Sequence, residues 1–302
     1  MSIEKKLKDF KPNIKDSTIR NYMVNLKKIY RSATGKDTEP IDLLFLKNDD
    51  KVDKYIKNKT ASNTRKNLYN IIVVFLTLLE KQQPDVKKVK SLIEKYTELR
   101  NDLNKKYSDD AKTNQKSERQ EANWMTTDEI EKVADSFKES DYQLYAIIKF
   151  HLLIPFRNDL ATVEVMTKRE YNKATDKPNA ILKNGSNYQL RLNDYKTNKA
   201  YGEKVIDVPP ELNPIIRRLL KLNKGTGYLI YNKKKDKSYS SNDYTRLFNS
   251  AFKKTGKKIS TTMLRTIVLS EKFGDLVKEQ KEMASNMLHS KSVQNNYIKT
   301  SD

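Results

Sequence analysis

From Asp16 to Gly35 the apolar residues Ile19, Tyr22, Met23, Leu26, Ile29 and Tyr30 recur three and four positions apart, which predicts one amphipathic helix capped at Asp16-Ser17. Val52, Tyr55 and Ile56 mark a shorter helix. Ser62 and Thr64 open a longer one through Leu68, Ile71, Ile72, Phe75, Leu76 and Leu79. Pro84 breaks it, and Val86, Val89, Leu92, Ile93, Tyr96, Leu99 and Leu103 continue the same period. Four such helices suffice for a small bundle with its own core, so a helical N-terminal domain is expected over residues 10–106, with the first ten residues loose. Residues 107–123 then lose the apolar stripe. They read as a solvated linker, or alternatively as an exposed extension of the preceding helix.

The pattern returns at Thr126 and Glu129, a capping box ahead of Ile130, Val133, Ala134 and Phe137. A second helix follows on Leu144, Ile147, Ile148 and Leu152. After Pro155, Asn158 or Asp159 is expected to cap a third. Strand-like runs at 180–182, 188–192 and 204–208, separated by Asn184-Gly185 and by the turn 194–202, predict a three-stranded antiparallel meander. Pro209-Pro210 ends it. Helices resume on Leu212, Ile215, Ile216 and Leu219, and again on Tyr244, Leu247, Phe248 and Phe252, with Gly256 as a C-terminal cap. The fold class expected is therefore multidomain, α and α+β: a helical bundle followed by a mostly helical second domain, 124–302, with a small sheet.

Charge narrows the partners. The 302 residues include 60 Lys and Arg against 39 Asp and Glu, a formal charge of +21, which points to a polyanion, with nucleic acid first. A skewed Lys/Asn composition would account for part of that surplus. No run of apolar residues approaches a membrane span and no signal peptide opens the chain, so a membrane partner is not expected. There is no cysteine, and the two histidines, His151 and His289, make a metal site unexpected. With seven glycines spread along the chain, a phosphate-binding Gly-rich loop cannot be built. His151 lies on the apolar face of its helix and reads as a hydrogen-bonded core residue.

Four segments carry the candidate chemistry: Ile154-Pro155-Phe156-Arg157-Asn158-Asp159-Leu160, Asp194-Tyr195-Lys196-Thr197, Thr262-Met263-Leu264-Arg265-Thr266, and Leu288-His289-Ser290 followed by Tyr297. In order and approximate spacing they resemble the tyrosine recombinase (phage-type integrase) family. The resemblance covers the whole second domain, and the N-terminal bundle fits that family's core-binding domain by helix count and charge. It implies a site-specific recombinase or integrase, of viral or mobile-element origin, that cleaves and rejoins double-stranded DNA without metal, cofactor or ATP. Arg157 and Arg265 would clamp the non-bridging phosphate oxygens, and His289 would donate a further hydrogen bond. Tyr297 would attack phosphorus to give a 3′-phosphotyrosyl enzyme, and Lys196 would protonate the leaving 5′-oxygen, with Lys199 as its substitute. A C-shaped clamp, assembled as a dimer or tetramer on DNA in the cytoplasm or nucleus, completes the expectation. Arg20, Lys59, Arg65 and Lys66 are candidates for phosphate contacts on the bundle.

Two features depart from the family pattern. Thr262 stands three residues before Arg265, where the family usually has His, and a threonine is no general base near neutral pH. His289 and Tyr297 are eight positions apart, where nine is commoner. Only five residues follow Tyr297, which leaves open whether the chain is truncated or assembles differently. Each residue also has a plainer reading: Arg157 paired with Asp159 or Glu164, Lys196 in a solvated turn, His289 in a loop, Tyr297 in a core. The alternatives carried forward are a type IB topoisomerase and a catalytically impaired DNA-binding relative.

Overall fold

A computed structural model describes residues 2–298, and within it the chain divides into two compact units, Met1–Gln115 and Lys116–Asp302. The first unit runs α1 (Ile3–Phe10), α2 (Asp16–Thr34), α3 (Asp49–Lys57), α4 (Ser62–Gln82) and α5 (Val89–Lys112). Its centre is α4, whose segment from Leu68 to Leu79 is buried on most of its circumference because α1, α2, α3 and α5 all pack on it. The expectation that the first ten residues are loose is corrected. Ile3, Leu7 and Phe10 share one face at helical spacing, and Ile3 and Leu7 are buried in the same core as Leu26, Ile29 and Phe75. The acidic first turn of α3 is tied to α5 by ion pairs. Asp49 meets Lys88 and Lys95, and Asp53 meets Lys95. Hydrogen bonds from the two lysines hold the Asp49 carboxyl down at about 2.

The segment read as a linker is largely helical. The helix α5 extends to Lys112, and α6 (Glu118–Ala122) follows with its own capping box between Ser117 and Gln120. Glu, Lys and Asn without an apolar stripe here mark an exposed helix, not an absence of helix.

The second unit continues with α7 (Thr127–Asp135) and α8 (Tyr142–Leu153). The capping box of Thr126 and Glu129 forms as expected. Tyr142-to-Phe150 is apolar nearly all round, so α8 is the buried axis of this unit and α7, α11, α12 and α13 (ranges below) pack on it. After Pro155 no full helix forms. A 3-10 turn over Asn158–Thr162 leads into strand β1 (Glu164–Met166), and α9 (Lys168–Lys173) follows. Then come β2 (Ala180–Asn184), β3 (Asn187–Leu192), α10 (Asn198–Tyr201) and β4 (Lys204–Asp207). The sheet is thus four-stranded and mixed, in order β1-β2-β3-β4, and not the three-stranded antiparallel sheet expected. Its extra strand pairs parallel with β2, Glu164 opposite Ala180. A three-residue strand paired in parallel has no local turn to announce it. Between β2 and β3, Gly185 takes φ +61°, which a tight hairpin turn requires.

The chain ends on α11 (Asn213–Leu222), α12 (Ser241–Ala251), α13 (Thr261–Asn286) and the short α14 (Lys291–Gln294). Leu264 and Ile267 place the first half of α13 in the core with Phe248, Phe252 and Ile259. Among the described residues no helix is long and apolar enough to cross a membrane, and no cluster of acidic and histidine side chains could hold a metal ion.

Candidate active site

Arg157 owes its place to Pro155. Helix α8 stops at Leu153, and the chain turns through Pro155 and Phe156 to Arg157, which stands exposed at the head of the 3-10 turn. Arg265 comes from the second turn of α13, whose start is fixed by Ser260 accepting a hydrogen bond from the Met263 N–H. Its Nε donates to the Pro155 carbonyl at 2.8 Å. The two segments that carry the arginines are therefore bonded to each other. The Arg265 Nη2 is buried and has no hydrogen-bond partner.

Burial, and then the neighbouring positive charge of Arg157, lower the pKa of the Arg265 guanidinium, while Asp159 opposes them. Asp159 is itself pushed up by burial, with the charges of Arg157 and Arg265 pulling it back down. Two guanidinium groups close enough to repel, set against a single carboxyl, and one orphaned buried donor make a place with surplus positive charge. An anion with several acceptor oxygens would satisfy it.

His151 lies beneath this place. It is fully buried, its Nε2 is 3.0 Å from the Tyr244 hydroxyl, and Phe156, Tyr244 and Phe248 meet its ring edge-on. Burial, and secondarily the Arg265 charge, push its pKa down to about 3, so the imidazole stays neutral. The core role expected of it agrees with this setting.

His289 and Tyr297 come together elsewhere. Helix α13 ends through Leu288, which takes φ +56°, and the His289 N–H then bonds back to the Ala284 carbonyl at 2.9 Å. That left-handed exit, with its five-residue back-bond, is the pattern that usually carries glycine. The two rings stack at 5.5 Å and 14°, with Tyr297 64% exposed. Gln280 Nε2 donates to Asn295 Oδ1 at 2.8 Å, which pins the segment before Tyr297 to the far part of α13. Gln280 is 15 residues beyond Arg265, about 22 Å along a straight helix. The sequence-predicted site is thus in two halves: Arg157 with Arg265, and His289 with Tyr297.

Lys196 and Lys199 are exposed in the excursion between β3 and β4, which carries α10. Thr262 is exposed in the first turn of α13. On the first unit, Arg20 is exposed on α2. Lys59 lies over the Tyr55 ring at 4.2 Å and Lys66 over Tyr107 at 4.7 Å. Arg65 Nε is buried without a partner. Asp159, named in the sequence only as a possible cap or pairing partner, faces both arginines, and its place two residues after Arg157 was the available signal. Nothing local marked the Pro155 carbonyl as the partner of Arg265.

No protein-family model and no curated protein matches the sequence. Solved structures do. A lambda integrase dimer bound to a COC′ core site superposes with a TM-score of 0.53 at 15% identity, over 89% of this chain and 69% of that one. Its 75–356 fragment, also a dimer on a COC′ core site, gives 0.53 at 16% identity over 89% and 88%. A lambda integrase tetramer bound to a Holliday junction gives 0.53 at 14% identity over 88% and 67%. The chain is mostly helical with one small mixed sheet, and its fold is similar to that of lambda integrase.

Proposed function

We propose that this chain is a DNA strand transferase of the tyrosine recombinase type, acting on duplex DNA as a dimer or tetramer. The observation that carries the reading is the arginine pair: two repelling guanidinium groups held in one place, with the Arg265 Nη2 left open. In this reading Arg157 and Arg265 bind the non-bridging oxygens of a scissile phosphate. The Tyr297 hydroxyl attacks phosphorus and loses its proton, and the bond to the 5′-oxygen breaks with a proton supplied by Lys196. The products are a 3′-phosphotyrosyl protein and a free 5′-hydroxyl. His289 donates to the same phosphate. Rejoining is the reverse, so neither ATP nor a metal enters the balance. Arg20, Lys59, Arg65 and Lys66 take backbone phosphates on the first unit, which serves as a core-binding domain, while 124–302 serves as the catalytic one.

The experiment is a nicked suicide duplex incubated with the protein and resolved on a denaturing gel. A covalent adduct with the wild type and none with Tyr297→Phe is expected, and adducts persisting in Tyr297→Phe would falsify the assignment of the nucleophile. The remote stacking of Tyr297 on His289 and the threonine at 262 favour a second reading, a DNA-binding relative with impaired chemistry. Adducts that appear only in Thr262→His would select it. Relaxation of supercoiled DNA without any recombinant product would point instead to type IB topoisomerase activity.

A further inference from the structure

Four hydrogen bonds converge on the side-chain amide of Asn158. Its Nδ2 carries two N–H donors, shared among the Ser241 hydroxyl at 3.0 Å, the Ser241 carbonyl at 3.2 Å and the Thr245 hydroxyl at 2.8 Å. Its Oδ1 accepts from the buried Thr261 hydroxyl at 2.8 Å. Ser241 and Thr245 are one turn apart at the start of α12, and Thr261 is the first residue of α13. One amide thus joins the residue next to Arg157 to the helix that carries Arg265.

We propose that Asn158 is a positioning residue that sets the register between Arg157 and Arg265 so that both guanidinium groups address one anion. The proposal rests on the recombinase reading for the identity of that anion, though not for the geometry. Thr261 and Arg265 are four residues apart, on one face of α13. Their partners, Asn158 Oδ1 and the Pro155 carbonyl, are three residues apart on the facing segment. A single bond would let the helix pivot, whereas two bonds about 6 Å apart along its axis fix translation and rotation together. Something must do this, because the two guanidinium groups repel and cannot hold each other. The chemistry also selects asparagine. The same short group must accept from Thr261 and donate to α12. Aspartate supplies only the acceptor and alanine supplies neither.

The test has two readouts, one independent of catalysis. Inorganic sulfate is titrated into full-length protein while the Arg265 Nε–H resonance is followed, in wild type, Asn158→Ala, Asn158→Asp, Thr261→Val and the Asn158→Ala/Thr261→Val double variant. The rate of adduct formation on the nicked duplex at saturating protein is measured for the same set, together with duplex affinity and Tm. Asn158→Ala is expected to weaken sulfate binding at least threefold. It should also slow adduct formation by about 10- to 100-fold, the cost of misplacing reacting groups by a fraction of an ångström or more, with duplex affinity kept within about threefold. Asn158→Asp, which keeps the Thr261 bond, should recover part of the rate, and the double variant should be no slower than Asn158→Ala. Wild-type sulfate affinity in Asn158→Ala would overturn the proposal. So would a uniform fall of rate, duplex affinity and Tm in which the two single changes simply add, since that marks structural support alone. A wild type that binds sulfate through Arg265 but never forms an adduct would remove the recombinase reading, and the sulfate series would still decide the role of Asn158.

Discussion

The two halves of α13 are one helix under opposite constraints. The first half buries Thr261, Leu264 and Ile267 and is bonded outward by Thr261 to Asn158 and by Arg265 to Pro155. Glu271 adds a bond from the Thr127 N–H at the head of α7. In the second half the apolar residues Leu276 and Met283 are exposed, as are Leu269 and Phe273 ahead of it, and the described packing of this half is on the short α14 segment, around Ala284. The arginine end is over-determined by tertiary contacts and the tyrosine end rests on a few local ones. In the proposed chemistry the phosphate-holding half is ready-made, and the half that delivers the nucleophile is the adjustable one.

Truncation breaks the comparison most directly. Leu264→Ala should cost about 2–5 kcal/mol, the range for a buried leucine, whereas Leu276→Ala, at 61% exposure, should stay within about 0.5 kcal/mol. Urea unfolding followed by circular dichroism measures both, and equal costs would abolish the asymmetry. A pH series sharpens the description of the arginine end. An unfolded chain protonates His151 below about 6.5, whereas in the fold it stays neutral down to about 3. Between those values the unfolded state binds the extra proton, so stability falls as pH drops from about 6.5 to about 3. His151→Phe removes that contribution and should show a shallower decline in urea midpoint than wild type over this window. Identical slopes would mean that the imidazole is not shielded. The smallest effect concerns the tyrosine end. Gly274 lies inside α13 with open space where a Cβ would go, so Gly274→Ala should stabilise by about 0.5–1 kcal/mol. Under the proposed function it should also slow adduct formation, because Tyr297 reaches the arginines only if the helix yields near its least constrained residue. An unchanged rate would indicate that the tyrosine arrives from a second copy.

What was legible in the sequence follows the same division between local and distant causes. The amphipathic spacing of Ile19 to Tyr30 and of Leu68 to Leu79, and the capping box at Thr126, record forces acting within a few residues, and those elements stand where the pattern put them. The pattern of Ile3, Leu7 and Phe10 is equally local, but the charged residues around it mask it. Strand β1 was hidden for a different reason. Its partner β2 is 16 residues on, and parallel pairing leaves no turn between them to read. Arg157 and Arg265 could be picked out as residues, but their proximity depends on the Pro155 carbonyl and the Asn158 amide, contacts that span more than 100 positions. The separation of Tyr297 from the arginines was illegible as well. It depends on α13 continuing unbroken through Gly274, where helix propensity alone favours a break.

The mixed sheet also sets an order of assembly. Strands β2, β3 and β4 follow one another in antiparallel pairs, the β2–β3 pair across a two-residue turn, so their contacts close short loops and can form early. Strand β1 joins only after a crossover. The strand and the residue before it are then held by residues still further along the chain, Val165 N–H to the Gly227 carbonyl and Leu229 N–H to the Val163 carbonyl. The 3-10 turn headed by Arg157 runs directly into β1. It is therefore expected to be among the last parts of the second unit to gain hydrogen-exchange protection during refolding, so that the anion site is completed only when the rest of that unit is in place.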